Sequence, residues 1–235
     1  MEIVELLPTL HMLRFPVGAA YLWADTDGDA DRLTLIDTGV AGAGEDIAAA
    51  VRCLGRDPAD LRQVVLTHFH HDHTGSAAEI RAWGGVEVLA HRLEAPVVRG
   101  EAAGAPPVFS DWERALFDSL PPLPPAPPVA VDRAVEDGDP LGFGGGAEAV
   151  WVPGHTDGSI AVYLPGPRVL FTGDTAANVE GRTMPGVFNS DPARALGSFR
   201  RLAALDVDVA CFGHGDPIAG GAAAALRAAA EALPD

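Results

Sequence analysis

Residues 67–73 read Thr-His-Phe-His-His-Asp-His and directly follow the short apolar run Val64–Leu66. This segment supplies four potential metal ligands, namely His68, His70, Asp72 and His73. The chain has 8 histidines in 235 residues, so chance would produce this spacing in on the order of one chain in a thousand. Crowded imidazoles beside a carboxylate repel one another when protonated, and a divalent cation relieves that repulsion. The segment therefore predicts a metal site rather than a solvated polar turn.

Three further candidate ligands lie downstream, each after an apolar run that reads as a strand. His155 follows Trp151–Gly154, Asp174 follows Val169–Thr172, and His214 follows Val209–Phe212. A glycine next to each of them lets the backbone turn sharply and approach a metal or a substrate. Each of the three alone would be an ordinary loop residue, but together they extend the set of candidate ligands to seven.

Five short motifs make the chain resemble the metallo-β-lactamase superfamily of metal-dependent hydrolases. They are Leu-Ile-Asp-Thr-Gly at 35–39, Thr-His-x-His-x-Asp-His at 67–73, Pro-Gly-His-Thr at 153–156, Thr-Gly-Asp at 172–174 and Gly-His-Gly at 213–215. The resemblance covers nearly the whole chain. It implies an α/β layered fold, the αββα sandwich, with metals bound at one edge between two sheets.

The resemblance also implies a role for each candidate residue. One metal would be held by His68, His70 and His155, a second by Asp72, His73 and His214, and Asp174 would bridge the two. Asp37 would orient a ligand histidine, as metal-bound imidazoles generally require. Asp72 and Asp174 are the predicted catalytic residues, Asp72 because it could also relay a proton. The remaining histidines, His11, His71 and His91, are expected to bind no metal.

Hydrophobic periodicity along the chain alternates between strand-like and helix-like segments, which also indicates an α/β layered fold. In the first half, strands are expected at about 10–13, 20–24, 33–36, 63–66 and 86–90, helices at 43–54 and 76–83, and a turn at 25–31. The second half repeats this order, with strands near 147–152, 159–164, 168–172 and 207–212 and helices near 192–204 and 220–233. We predict a single domain over 1–235.

A segment of different composition, at about 93–133, separates the two halves. Six prolines within 121–128 favour a stiff polyproline-II conformation. Before them, Ser110 and Glu113 form a capping-box pair that begins a helix over 111–120. That helix carries an apolar stripe formed by Trp112, Leu116 and Leu120, with Phe117 beside it. One interpretation is a surface helix packed on the core. The other is a lid, in which Trp112 and Phe117 would hold an acyl chain or ring of the substrate.

The charge balance excludes several function classes. The chain has 16 arginines, no lysine and 33 acidic residues, for a net charge of −17. Partners such as nucleic acids and anionic membranes need basic protein surfaces, so neither is expected. Without lysine there is no Walker A motif and no Schiff-base nucleophile. Cys53 and Cys211 are too few for a disulfide framework and are expected in the core, which is typical of a cytoplasmic protein. The sequence does not determine the oligomeric state, and a homodimer is one of the alternatives.

Details of the motifs make the chain resemble the glyoxalase-II/lactonase-like branch of the superfamily rather than the true β-lactamases. Class B β-lactamases usually lack the bridging aspartate, so Asp174 argues against antibiotic hydrolysis. Acyl-homoserine lactonases place a tyrosine three residues after that aspartate, where this chain has Ala177. Glyoxalase-II enzymes share the ligand set but add a C-terminal helical segment that binds glutathione, and this chain is expected to lack that segment.

We therefore predict a dinuclear zinc hydrolase that cleaves an ester, thioester or lactone bond of a small-molecule substrate with a hydroxide shared by two zinc ions. Iron and manganese are the alternative metals. The alternative function is that of a mononuclear iron persulfide dioxygenase-like oxidoreductase, in which His68, His155 and Asp174 would form a triad of two histidines and one carboxylate. A binding module without activity is disfavoured because every ligand position is filled.

Overall fold

The first half of the chain forms one seven-stranded sheet. The structure is a computed structural model that describes residues 1–25 and 32–234. The strands are β1 Glu2–Leu7, β2 Leu10–Arg14, β3 Ala19–Ala24, β4 Leu33–Ile36, β5 Leu61–Val65, β6 Glu87–His91 and β7 Arg133–Val135. They are hydrogen-bonded in chain order. The first four run antiparallel, whereas β4 to β7 run parallel because longer connections cross over between them.

The second half forms a five-stranded sheet and a separate hairpin. The sheet contains β8 Glu148–Trp151, β9 Ile160–Leu164, β10 Val169–Phe171, β13 Val209–Cys211 and β14 Ile218–Ala219, in the order β14-β13-β10-β9-β8. The hairpin consists of β11 Ala176–Val179 and β12 Arg182–Pro185. Strand β13 is a parallel neighbour of β10. Strand β8 also runs parallel to β10, because both strands are antiparallel to β9, which lies between them.

Helices cover the outer face of each sheet. The helices of the described residues are α1 Gly44–Cys53, α2 His71–Thr74, α3 Ala77–Arg81, α4 Ala95–Val98, α5 Asp111–Ser119, α6 Pro192–Ala203 and α7 Ala222–Glu231. Ile47 of α1 and Ile80 of α3 are buried against the first sheet. Phe199 of α6 and Leu226 of α7 are buried against the second. The order of layers is therefore helix, sheet, sheet, helix, and the predicted αββα sandwich is confirmed.

Alternation along the strands fills both faces of the first sheet. In β3, Tyr21 and Trp23 point between the two sheets, where Tyr21 makes an edge contact with Phe171 at 5.4 Å between ring centroids. The intervening Leu22 points to the opposite face, against the helical layer. Successive side chains of a strand alternate in this way because its period is two residues.

The topology brings the carboxyl ends of five strands to one edge of the sandwich. β4 and β5 are parallel neighbours in the first sheet, and β8, β10 and β13 share one direction in the second. The two sheets meet at this edge, where the amide of Ile160 donates to the carbonyl oxygen of Thr67 at 2.9 Å. The segments that follow these strands carry all the candidate ligands and Asp37.

Cys53 lies on the surface, so the prediction that it belongs to the core is wrong. It is the last residue of α1, whose buried residues include Ile47 and Val51. Cys53 lies two positions after Val51, which is about 200° around the helix, so its thiol faces away from the sheet. Cys211, in β13, is buried as predicted.

The apolar stripe of α5 is not buried in the core. Trp112, Leu116 and Leu120 are 56%, 40% and 50% exposed. The buried residue of the helix is instead Glu113, which forms the predicted capping box by accepting from the amide and hydroxyl of Ser110 at 2.9 and 2.6 Å.

One further prediction concerns the turn after β3. Beyond Asp25, the turn predicted at 25–31 lies outside the described residues. In the part of the chain that the structure describes, no helix has the length and apolarity needed to cross a bilayer.

Candidate metal centre

The edge where the strands end carries two adjoining groups of potential metal ligands. The first group consists of His68, His70, His155 and Asp174, and the second of Asp72, His73 and His214. Within each group, one ligand atom per residue lies within 4.8 Å of every other. The structure thus brings together all seven residues that the sequence singles out.

The ligand atoms of the first group converge on a common point. Nε2 of His155 lies 2.9 Å from Nδ1 of His70 and 3.6 Å from Oδ2 of Asp174. Nε2 of His68 lies 3.9 Å from the same oxygen. Two ligands of a tetrahedral zinc ion, each about 2.0–2.1 Å from the metal, are about 3.4 Å apart. The spacing of the group therefore suits one ion.

Asp174 stands between the two groups. Its Oδ2 lies 3.2 Å from Nε2 of His214, and its Oδ1 lies 3.3 Å from Nε2 of His73. Oδ2 of Asp72 completes the second group, 3.2 Å from Nε2 of His214 and 3.8 Å from Nε2 of His73. A carboxylate that faces both groups is suited to bridging two ions.

Buried atoms without hydrogen-bond partners show that these residues fit cations. Among the described residues, these atoms include Nε2 of His68, Nε2 of His73 and Oδ1 of Asp174. A buried polar atom left unpaired costs about 1–3 kcal/mol, and a coordinated cation would satisfy all three. Gly213 leaves room for them, since a Cβ there would overlap Oδ1 of Asp174 and lie 2.8 Å from Cε1 of His73.

Burial keeps the three histidines of the first group neutral. It lowers the pKa of His155, lowers the pKa of His68 well below its ordinary value, and together with the nearby His155 lowers the pKa of His70 to about 3. A neutral imidazole offers the free nitrogen lone pair that binds a metal. These three side chains are therefore ready to act as ligands at neutral pH.

The carboxylates have the opposite effect in the second group. Asp174 raises the pKa of His214 to about 10. Burial lowers the pKa of His73, but Asp174, Asp72 and Asp37 together raise it well above its ordinary value. Against the effect of burial, the imidazoles lower the pKa of Asp72 to about 2 and that of Asp174 well below its usual range. Both carboxylates are thus ionised at neutral pH, and metal binding must displace protons from the imidazoles.

Asp37 fixes the orientation of His73. Its Oδ2 accepts from Nδ1 of His73 at 2.8 Å, and its two oxygens accept from the amide and hydroxyl of Thr67, both at 2.8 Å. Because the oxygen of Asp37 accepts this hydrogen bond, Nδ1 of His73 carries the hydrogen and Nε2 faces the ligand group. Asp37 adopts a φ of 58°, a left-handed conformation that aspartate tolerates better than most residues.

Glu94 is a buried residue near the site that the sequence analysis missed. Its two oxygens accept from the amides of Phe69 and Gly158, both at 2.8 Å, so it links the two loops that carry the three histidines of the first ligand group. Burial raises its pKa to about 7. A glutamate after a strand is common in any loop, so no sequence pattern marked this one.

Asn189 is a second buried residue that the sequence did not indicate. Its Nδ2 donates to the carbonyl oxygen of Gly186 at 2.8 Å. Its side chain lies near His155 and raises the pKa of that imidazole against the larger effect of burial, but Oδ1 of Asn189 and Nδ1 of His155 are both buried without a hydrogen-bond partner. Asn189 is therefore a neighbour of His155, and nothing in its sequence surroundings signals that position.

A sequence profile described as "Metallo-beta-lactamase superfamily" matches residues 17–214, a span that contains both ligand groups. The chain belongs to the metallo-β-lactamase superfamily. The superfamily fold, together with the clustered histidines and aspartates, implies bound metal ions.

Curated relatives within the metallo-β-lactamase superfamily carry hydrolase names. "Probable metallo-hydrolase YflN" of Bacillus subtilis (strain 168) is 32% identical over 231 residues, which cover 90% of this chain and 85% of the relative. A hydroxyacylglutathione hydrolase of Fuscovulum blasticum is 32% identical over 192 residues. That match covers 80% of this chain but only 59% of the longer relative. These relatives support a hydrolytic enzyme, and that prediction is confirmed.

Solved structures of the metallo-β-lactamase superfamily share the fold. A metallo-beta-lactamase family protein from Thermus thermophilus has a TM-score of 0.67 and 26% identity, with 97% of this chain and 78% of that chain covered. A metallo-beta-lactamase from Cronobacter sakazakii has a TM-score of 0.68 and 25% identity, with 91% and 80% covered. Both agree with the αββα layers described above.

The remaining histidines of this metallo-β-lactamase superfamily member lie outside both ligand groups. His91 ends β6, is buried, and stacks on Trp151 with ring centroids 5.7 Å apart. His11 lies in β2. His71 is exposed, and its Nδ1 accepts from the amide of Ala126 in the proline-rich segment at 3.2 Å.

Replacing His71 with alanine is expected to leave the metal content unchanged, because its ring faces Ala126 rather than the ligand groups. The matched control is His70→Ala, one residue earlier, which removes a ligand nitrogen and is expected to lower the metal content. Elemental analysis of the two purified variants would check this. Loss of metal from His71→Ala would mean that the ligand set is misassigned.

Proposed function

We propose that the protein is a dinuclear zinc-dependent hydrolase of an ester, thioester or lactone bond in a small-molecule substrate. The observation that carries this proposal is the pair of adjoining ligand groups that face one shared carboxylate, Asp174. In this assignment His68, His70 and His155 hold one ion, and Asp72, His73 and His214 hold the other.

The chain's own residues would support hydrolysis by water. When bound, a pair of divalent metals lowers the pKa of water from 15.7 towards about 7 and polarises a carbonyl oxygen. Asp72 is ionised and lies beside His214, whose side chain is 38% exposed. Asp72 is therefore placed to accept a proton on the solvent side of the site and to return it to the leaving group. Asp37 holds the ring of His73 in position, and Glu94 holds the surrounding loops.

The relatives favour a thioester among the three bond types. Several of them are named hydroxyacylglutathione hydrolase, at 28–33% identity to this chain. The ligand set does not by itself distinguish a thiolate from an alkoxide leaving group, so all three bonds belong in the test. The cytoplasmic location and the homodimer stay predictions of the sequence.

Protein purified without chelators is expected to contain about two zinc ions per chain, because seven ligands exceed the four that one tetrahedral zinc uses. Elemental analysis would measure the stoichiometry, and a panel of thioesters, esters and lactones would measure hydrolysis before and after removal of metal by a chelator. A chain with two zinc ions that hydrolyses none of the panel would contradict the proposed reaction.

One observation favours a second function. His68, His155 and Asp174 all belong to the first ligand group. These three residues form the set of two histidines and one carboxylate that is found in mononuclear iron oxygenases. A single iron per chain, together with oxygen consumption in the presence of a persulfide, would replace the hydrolase by the dioxygenase.

A further inference from the structure

The insert at 93–133 packs against the loop that carries the first ligands. Gly104 lies so close to the ring of Phe69 that a Cβ on it would overlap that ring. Twenty-two residues later, the amide of Ala126 donates to Nδ1 of His71 at 3.2 Å. Both ends of this part of the insert are therefore fixed to the segment that contains His68 and His70.

The insert also packs against the segment that supports His155. The amide of Val108 donates to the carbonyl oxygen of Asn189 at 2.8 Å. The amide of Ser190 in turn donates to the carbonyl oxygen of His155 at 3.1 Å. The insert therefore touches the loops on both sides of the first ligand group and forms part of the wall next to it.

Three phenylalanines, Phe109, Phe117 and Phe188, meet in this wall and are named here the phenylalanine cluster. Their ring centroids lie 5.0 Å, 5.3 Å and 5.9 Å apart. The guanidinium of Arg114 covers the ring of Phe109, 3.9 Å from its centroid. Phe117 is 45% exposed, so it presents the open apolar area of the cluster.

Phe188 is held in a strained backbone conformation beside the site. Its φ is 60°, which is costly for a bulky side chain and occurs where the surroundings enforce it, often at functional sites. Its amide donates to Oε1 of the buried Glu113 at 3.1 Å, so α5 enforces this conformation. Consecutive Cα atoms are about 3.8 Å apart, so the Cα of Phe188 lies no more than about 7.6 Å from that of Ser190, which contacts His155. The cluster is thus joined through two residues to the segment that hydrogen-bonds to the backbone of His155.

We propose that the phenylalanine cluster binds the apolar group of the substrate, an alkyl or aryl group attached to the scissile carbonyl either directly or through the leaving oxygen or sulfur. This inference rests on the proposed hydrolase function. Aromatic rings offer large apolar area with few rotatable bonds, so little entropy is lost when they hold such a group. Phe117 is the specificity-determining residue, because it combines contact with Phe188 and exposure to solvent.

Trp112 supplies the matched control on the same helix. If α5 is a lid, the sequence predicts that both Trp112 and Phe117 hold the substrate, but the structure places the two side chains apart. They are five positions apart, about 140° around the helix. Phe117 contacts the other two rings of the phenylalanine cluster. Trp112 is more exposed and belongs to the apolar stripe of α5.

The kinetic test compares Phe117→Ala and Trp112→Ala with the unaltered metal-loaded protein. One arm uses p-nitrophenyl acetate, butyrate and octanoate, and the other uses acetate esters of methanol and octanol. In Phe117→Ala, the ratio of kcat/KM for the long over the short substrate is expected to fall about tenfold in one arm, mainly through KM. In Trp112→Ala it is expected to stay within about twofold. The arm that responds shows whether the acyl chain or the alcohol occupies the cluster.

Binding measurements keep the inference testable apart from turnover. Calorimetry would compare octanoate and octanol with acetate on the same proteins, and Phe117→Ala is expected to weaken the long ligand about tenfold. The metal content and the thermal unfolding of each variant would show whether the metal centre and the fold are intact. If Phe117→Ala is unstable, Phe117→Leu is measured in its place, because leucine retains most of the packing. An unchanged long-to-short ratio in Phe117→Ala, or an equal loss in Trp112→Ala, would overturn the inference. Failure of every ester together with intact octanoate binding at the cluster would overturn the proposed hydrolase function instead.

Discussion

Replacing Asp174 with alanine is expected to lower kcat/KM by roughly a thousandfold or more and to weaken both metal positions together. Its two oxygens lie 3.2 Å from Nε2 of His214 and 3.3 Å from Nε2 of His73, and Oδ2 also lies 3.6 Å from Nε2 of His155. Loss of a single electrostatic group at a reacting centre typically costs about a hundredfold to a thousandfold, and this carboxylate faces two ligand groups. Elemental analysis and steady-state kinetics on one preparation would measure both effects.

Asp206→Ala provides a matched control, since the exposed carboxylate of this residue pairs with a surface arginine, Arg168, at 2.7 Å. It is expected to change neither the metal content nor the rate, because exposed ion pairs contribute about 0–1 kcal/mol. If Asp174→Ala instead retains two metals and near-normal turnover, the bridging role is wrong. If it loses only one metal, Asp174 belongs to a single position.

The candidate ligands could be predicted because they depend on local sequence and on one rule of topology. His68, His70, Asp72 and His73 occupy a single loop, so their proximity needs no knowledge of the tertiary fold. His155, Asp174 and His214 follow strands, and strands that share a direction end at the same edge of a sheet. The resemblance to the superfamily then divided the seven residues into two groups, and the structure forms the same groups around Asp174.

The supporting residues could not be predicted, because their roles arise from contacts between segments far apart in the chain. Glu94 accepts amides from Phe69 and Gly158, which lie 25 and 64 residues away. A carboxylate in a loop is usually solvated, and only the packed structure shows that this one is buried. The short helix α2, which begins at His71, was also missed, because a histidine-rich segment with no apolar period carries no helical signal.

The buried face of α5 could not be predicted from its sequence, for a different reason. Its boundaries and its capping box follow from local chemistry, and both were predicted. Its apolar stripe suggested which face would be buried, but the structure buries Glu113 instead. That carboxylate accepts from Ser110 and from the amide of Phe188, so a polar contact with a distant loop outweighs the periodicity of the helix.

Two substitutions of Asp37 distinguish its contribution to folding from its contribution to metal binding. Replacing it with alanine is expected to destabilise the protein by about 3–5 kcal/mol, because breaking a buried ionic contact leaves its partners uncompensated. The amide and hydroxyl of Thr67 and Nδ1 of His73 would all lose their acceptor. Alanine also tolerates the φ of 58° poorly, which adds about 1–2 kcal/mol. Urea unfolding of the metal-depleted proteins would measure this loss.

Replacing Asp37 with asparagine is expected to leave folding largely intact but to remove the metal held by His73. Asparagine keeps the shape, tolerates the left-handed backbone and retains an oxygen for the amide of Thr67. Its NH₂ group, however, would face Nδ1 of His73 and favour the tautomer with the hydrogen on Nε2. That nitrogen would then lack the lone pair that a metal needs, just as the corresponding change in a serine-protease triad leaves the geometry intact but imposes the wrong histidine tautomer. Elemental analysis should find about one metal per chain. Thermal unfolding should give a melting temperature well above that of Asp37→Ala. Retention of two metals by the asparagine variant would show that Asp37 stabilises the fold without setting the tautomer of His73.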